Sequence, residues 1–165
     1  MLNVGDTLPE VIMPVRVAGD WIHLNTREQF AGKRVVIFAL PGAFTPTCST
    51  KQLPTFEVMF PQFVEKGIDD VYCLSVNDSF CMNSWFDGQN IKQVKPLPDG
   101  NGEFTELMGA SVKKANLGFG VRSWRYAMVV NDNVIEHLFA EEGFGDNIDT
   151  DPYEVSSPEN VLANI

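Results

Sequence analysis

The sequence predicts an α/β protein: a mixed central sheet with helices on both faces and an N-terminal β-hairpin extension. Three observations carry this. Two apolar runs, Val35–Leu40 and Val71–Val76, have no polar alternation and read as strands buried on both faces. Each run is followed by a helix-start signal, Thr45-Pro46 after the first and Asn77-Asp78-Ser79 after the second. Further on, Arg125–Val130 and Val134–Phe139 flank Asn131-Asp132-Asn133 and read as a β-hairpin. The resulting order, β-α-β-α-β-α-β-β-α, fits a mixed sheet between helices, although pattern alone leaves several such topologies open. A length of 165 residues suits one domain, residues 1–165.

Taken in order, Val11–Met13, Val15–Val17 and Trp21–Leu24 read as short strands turning at Ala18-Gly19-Asp20, and Asn25–Phe30 as a short helix before Gly32. The strand Val35–Leu40 stops at Pro41-Gly42. A long helix is expected over Cys48–Glu65, kinked or broken by Pro54 and Pro61. Ser79–Asp87 is the next helix, capped by Asn77 or Asp78. Val94–Leu97 is a short strand whose Pro96 argues for a sheet edge. Asp99–Gly102 is a turn leading into a short helix through Met108. Asp151–Ser157 is irregular, and Ser157-Pro158-Glu159 opens a last helix. The acidic residues of Glu141–Asp151 are expected on a solvated loop.

Composition narrows the function. At 44% hydrophobic and 21% charged residues the chain is an ordinary globular protein. A formal charge of −10 disfavours nucleic acid and anionic membranes as partners. No basic segment followed by a long apolar run opens the chain, and three cysteines without C-x-x-C make no disulfide framework. A reducing cytoplasm is the expected location.

The chemistry concentrates at Pro41–Cys48. Thr45 is a good N-cap and Pro46 suits the first helical position, so Cys48 becomes the third residue of the helix. The unpaired N–H groups and positive dipole end of that turn favour a thiolate, which is the nucleophilic form. Pro41-x-x-x-Thr45-x-x-Cys48 resembles the active-site signature of the peroxiredoxins. The fuller Pro41–Cys48 stretch is similar to the type-II, or atypical five-type, branch, which includes plant enzymes and bacterial forms fused to a glutaredoxin. Ser75–Asp78, Asp99–Thr105 and Leu117–Tyr126 resemble the same branch in order and spacing, so the likeness covers nearly the whole chain.

The resemblance implies a thioredoxin-like fold and a thiol peroxidase acting on hydrogen peroxide and alkyl hydroperoxides without a bound cofactor. It implies that Cys48 attacks the O–O bond, that Thr45 and the N–H groups of Thr47 and Cys48 bind peroxide, and that Pro41 shields the sulfur. Arg125 matches the position of the family arginine; Arg122 reads as a loop residue held in a salt bridge. Phe44 and Phe119 are candidates for the pocket entrance or a dimer contact. Cys73, 25 residues after Cys48, matches the resolving cysteine of plant type-II enzymes, yet a central-strand cysteine is ordinarily inert packing. Cys81 reads as helix packing. The sulfenic acid is therefore expected to be reduced from outside, by glutathione with glutaredoxin or else by thioredoxin, with an internal Cys48–Cys73 disulfide as the alternative. A homodimer is implied as well.

Other readings are weaker. A thiol–disulfide oxidoreductase needs a second cysteine three residues on, where Lys51 stands. A non-catalytic interaction protein has no use for the Thr45, Cys48 and Arg125 set. Cys48, Cys73, Cys81, His23 and His137 lack zinc-ligand spacing. Phe104 and Ala110 fall where a calcium loop needs glycine and glutamate, and Gly118-Phe119-Gly120 lacks the third glycine of a dinucleotide fingerprint.

Overall fold

The hydrophobic alternation within one strand determines the layering. In the computed structural model, which describes residues 1–165, β3 (Arg34–Ala39) sends Val35, Ile37 and Ala39 to one face of the sheet and Val36 and Phe38 to the other. Two apolar cores form accordingly. One packs the N-terminal hairpin, β1 (Ile12–Val17) and β2 (Asp20–Asn25), with α1 (Thr26–Phe30) and α4 (Glu103–Leu107). The other packs α2 (Leu53–Glu65), α3 (Ser79–Gly88) and α5 (Pro158–Ala163).

The sheet order is β5-β4-β3-β8-β9, with β4 at Asp70–Ser75, β5 at Lys95–Pro98, β8 at Tyr126–Asn131 and β9 at Val134–Ala140. β3, β4 and β5 run parallel, and β8 and β9 are antiparallel additions. This is the expected thioredoxin-like arrangement with its N-terminal hairpin. β5 takes an edge, where the missing N–H groups of Pro96 and Pro98 interrupt no inner ladder. The β8–β9 hairpin turns at Asp132-Asn133, both with positive φ, the geometry that suits a tight antiparallel connection. Asp78 caps α3 through Cys81 N–H at 2.8 Å, and Ser157 caps α5. No helix is long and apolar enough to cross a membrane.

Two parts of the fold differ from expectation. Ser111–Lys113 (β6) and Val121–Ser123 (β7) pair as a separate small ribbon around a 3₁₀ turn at Ala115–Leu117. Three-residue strands are too short to show a periodicity. The helix expected from Cys48 also begins differently. Cys48–Gln52 forms a π turn in which Leu53 N–H bonds to Cys48 O, and α2 follows. The wide turn ends one residue before Pro54, which has no N–H for the carbonyl of Thr50. Pro61 lies inside α2 without ending it.

α2 is bolted to the sheet and to a loop. Phe56 stacks on Phe38 of β3 at 3.9 Å and lies near Phe63 at 5.7 Å. On its outer side the Glu57 carboxylate accepts the N–H groups of Lys92, Gln93 and Val94. Removing the buried ring by Phe56→Ala should lower the unfolding free energy by about 3–5 kcal/mol. The check is a urea titration, with the midpoint falling and the slope unchanged.

Candidate active site

Cys48 stands where the sequence places it, third after Pro46 and Thr47, on the helix face turned into the core. Its relative exposure is 0%, while Thr45 and Thr47 beside it are half-buried, so the sulfur lies one layer below the surface. Ser49 N–H bonds to Thr45 O at 2.9 Å and starts the helical ladder. The expected side-chain cap is not made. The Thr45 hydroxyl instead donates to Gly42 O at 2.7 Å, which leaves its lone pairs free to accept.

The turn is held from the side by α3. Trp85 Nε1 donates to Ser49 Oγ at 3.0 Å, and Gln89 Nε2 donates to Ser49 O at 2.9 Å. The preceding loop is fixed as firmly. Ala43 N–H donates to Asn77 Oδ1, and Pro41 O accepts from Arg122 Nη1 at 3.3 Å. A Cβ on Gly42 would stand 2.9 Å from that same Nη1, so a larger residue there displaces the arginine.

Arg125, immediately before β8, is the group that meets the sulfur. It is 2% exposed, and its Nη2 lies 3.3 Å from Cys48 Sγ. Nε donates to Gln52 Oε1 at 2.9 Å, and Nη1 donates to Asp151 Oδ1 at 2.7 Å and to Pro152 O at 2.8 Å. The Tyr153 ring lies 5.8 Å from the guanidinium carbon. Of five N–H donors four are engaged, and the fifth belongs to the nitrogen that faces the sulfur. Burial works against the cation, but the charges of Cys48 and Asp151 outweigh it and raise the Arg125 pKa.

The other predicted residues fall into place unevenly. Pro41 is buried at the loop that precedes the helix. Phe44 is 59% exposed, has φ of +65°, and lies against Trp85 at 6.4 Å; it sits on the surface rather than in an enclosed pocket. Phe119 is half-buried beneath the Arg122 guanidinium at 5.4 Å. Arg122 makes no salt bridge. It donates to the carbonyls of Phe119 and Pro41, so the loop reading needs correcting to a clamp on Pro41. Cys73 is fully buried on β4 opposite Phe38, and burial, with the charge of Cys48, pushes its thiol well up. Cys81 is half-exposed on α3, its thiol raised by partial burial and Asp78. No cluster of three His, Cys, Asp or Glu side chains is placed to hold a metal ion.

Sequence reasoning missed Gln52, Asp151 and Glu141. Gln52 carried a weak signal, a polar residue four positions after Cys48 in a helix otherwise facing the core. The solvated-loop reading fails at both ends of Glu141–Asp151. Asp151 pairs with Arg125, and Glu141 is only 4% exposed. The Glu141 carboxylate accepts the N–H groups of Glu154, Val155 and Ser156 and the Ser156 hydroxyl. Its backbone bonds to Arg125 O and, through its own carbonyl, to Trp124 Nε1. Glu141 therefore ties the segment that carries Asp151 and Pro152 to the strand that carries Arg125.

Comparison with known proteins agrees with this architecture. The Redoxin family model matches residues 3–160. The chain is 61% identical over 142 residues to a peroxiredoxin of Rhizobium etli, covering 86% of this chain and 79% of that protein. It is 44% identical to the hybrid peroxiredoxin hyPrx5 of Haemophilus influenzae, over 96% of this chain and 64% of the hybrid. Reduced Prx3 of Vibrio vulnificus, solved in complex with H2O2, superposes with a TM-score of 0.89 at 39% identity, covering 99% and 95% of the two chains.

Substituting Glu141→Gln puts an amide donor among four existing donors. The expected cost is about 1–3 kcal/mol, with a lower melting temperature and faster proteolytic nicking between residues 142 and 157. Differential scanning calorimetry and limited proteolysis read both effects.

Proposed function

This chain belongs to the redoxin family and, within it, to the peroxiredoxins, which are thiol peroxidases, and we propose that Cys48 is its peroxidatic nucleophile. The observation that carries this is the 3.3 Å approach of Arg125 Nη2 to Cys48 Sγ inside a buried site. The residues act as one domain, with hydrogen peroxide and alkyl hydroperoxides as substrates.

The thiolate sulfur attacks one peroxide oxygen. An S–O bond forms, the O–O bond breaks, and the departing oxygen leaves as alcohol or water after taking a proton. Charge spreads over two oxygens as this happens. The spare Nη2 N–H of Arg125 and the N–H groups of Thr47 and Cys48 are the donors for it, and the Thr45 hydroxyl accepts the peroxide proton. Pro41, with its carbonyl tied to Arg122, keeps water from the sulfur.

The sulfenic acid is then reduced by an external thiol. Glutathione displaces water to give a mixed disulfide, and a second thiol, carried by glutaredoxin or free glutathione, releases Cys48. Two observations favour this route. Cys73 is fully buried with its proton held tightly, whereas attack on a sulfenic acid requires a thiolate. The chain is also similar to a hybrid peroxiredoxin. An internal Cys48–Cys73 disulfide, reduced by thioredoxin or glutaredoxin, is the second reading, because both cysteines belong to one apolar cluster. We place the protein in the reducing cytoplasm as a homodimer. Phe44, Phe80, Leu117 and Val121, all more than half exposed, supply apolar area for that contact.

Cys48→Ser should abolish peroxide consumption. Arg125→Ala should lower kcat/KM for hydrogen peroxide by about 100-fold or more. Near-wild-type activity in the first variant overturns the assignment of Cys48, and in the second the role of Arg125. With glutathione present, one equivalent of peroxide should leave a mass-spectrometric adduct of glutathione on Cys48; a quantitative Cys48–Cys73 disulfide overturns the external-reductant reading.

A further inference from the structure

The Arg125 guanidinium serves two anions at once, the sulfur on Nη2 and the Asp151 carboxylate on Nη1. The active-site role of the first is the function proposed above. The second is unexplained by it. Asp151 lies 26 residues downstream of Arg125, on an irregular segment, and its side chain is half exposed while that of Arg125 is 3% exposed. A half-exposed carboxylate is thus paired with a buried cation, unlike a fully exposed pair, which contributes little.

We propose that Asp151 is a positioning residue of the peroxidatic site, the counter-ion that aims the Arg125 guanidinium and limits how much of its charge reaches Cys48. This rests on the proposed role of Cys48. Three features of the geometry support it. Asp151 Oδ1 and Pro152 O take both hydrogens of Nη1, so this segment fixes the plane of the fork, and with it the direction of the Nη2 hydrogens. The segment is itself rigidly placed, by the four bonds that the buried Glu141 accepts from residues 154–156. The carboxylate is also the nearest opposing charge to the cation that the sulfur depends on. Cys73 on β4 and Tyr153 on the segment before α5 keep their protons, Tyr153 through burial and Glu159. The buried Glu141 carboxylate is engaged by the donors of residues 154–156, so Asp151 is the carboxylate bonded directly to the Arg125 guanidinium.

Two effects of opposite sign follow. Losing the acceptor frees the guanidinium to tilt, and misplacement by about an ångström costs up to about 100-fold in rate. Losing only the negative charge leaves more of the cation's field for the sulfur. Asp151→Ala removes both acceptor and charge. Asp151→Asn keeps an oxygen acceptor and removes the charge.

The experiment uses the full chain, with two readouts. One is kcat/KM for hydrogen peroxide. The other is the pH at which iodoacetamide alkylation of Cys48, followed by peptide mass spectrometry, is half-maximal. Asp151→Ala should lower kcat/KM by about tenfold or more, and Asp151→Asn should recover most of that loss. In Asp151→Asn the alkylation midpoint should move to lower pH by about half a unit, since a half-exposed carboxylate acts through partial screening. Glu142→Gln and Asp149→Asn, elsewhere on the acidic loop, should leave the midpoint in place. A wild-type kcat/KM in Asp151→Ala, an unmoved midpoint in Asp151→Asn, or an equal shift in the two loop controls each overturns the proposal. A wild-type protein that consumes no peroxide removes the functional reading itself, whereas active protein with inert Asp151 variants removes only this inference.

Discussion

A cation sealed beneath a surface is tolerable only if its donors are satisfied, and Arg125 is where that constraint shapes the molecule. Four acceptors converge on it from two parts of the chain, Cys48 and Gln52 from the π turn and Asp151 and Pro152 from the segment before α5, while Arg125 itself immediately precedes β8. An unpaired buried guanidinium would cost several kcal/mol. The elements that bring these acceptors together are therefore constrained jointly. The central sheet sets where β8 begins, α3 and the Phe56–Phe38 stack set where the π turn lies, and Glu141 sets where the C-terminal segment crosses the site.

The π turn fits the same constraint. Cys48 and Gln52, four residues apart, must both reach one planar fork, on Nη2 and Nε. The wider turn places both on the face toward Arg125, and Pro54 releases the α-type bond that would otherwise tighten it. Gln52 is then fastened on its other end to Ala39 O, the last residue of β3. The sulfur's turn is thus referred through the Gln52 side chain to the central strand of the sheet.

Much of this was legible in the sequence, for reasons that can be named. Val35–Leu40 and Val71–Val76 declared buried strands by composition, Asp78 and Ser157 declared helix starts by their side-chain oxygens, and Pro96 declared an edge by its missing N–H. Each is a local signal with a local cause. Arg125 became visible only through the family likeness, because nothing in Trp124-Arg125-Tyr126 distinguishes a buried strand-end cation from an exposed one. Glu141 and Asp151 were illegible for a related reason. Their charge suggests solvent, and what overrides it is a set of backbone N–H groups at residues 154–156 that only the folded chain brings within reach. The ribbon of β6 and β7 was missed for want of length, and with it the clamp of Arg122 on Pro41.

The burial of Cys48 adds a requirement on how such a site can work. If an external thiol reduces the sulfenic acid, as proposed above, a sulfur with 0% exposure can be reached by it only when the first turn opens. Opening removes Cys48 and Gln52 from Arg125 together, since both ride on the same turn. Asp151 and Pro152 do not ride on it. They are fastened through Glu141 to the other side of the site, so such an opening would leave their bonds to Nη1 in place. The two acceptors that stay include the charged one, so the cation keeps its counter-ion while the sulfur is away, and the guanidinium is still in position when the turn closes again. A site whose acceptors all came from the helix would have to rebuild itself at every turnover; dividing them between two independently anchored segments removes that need.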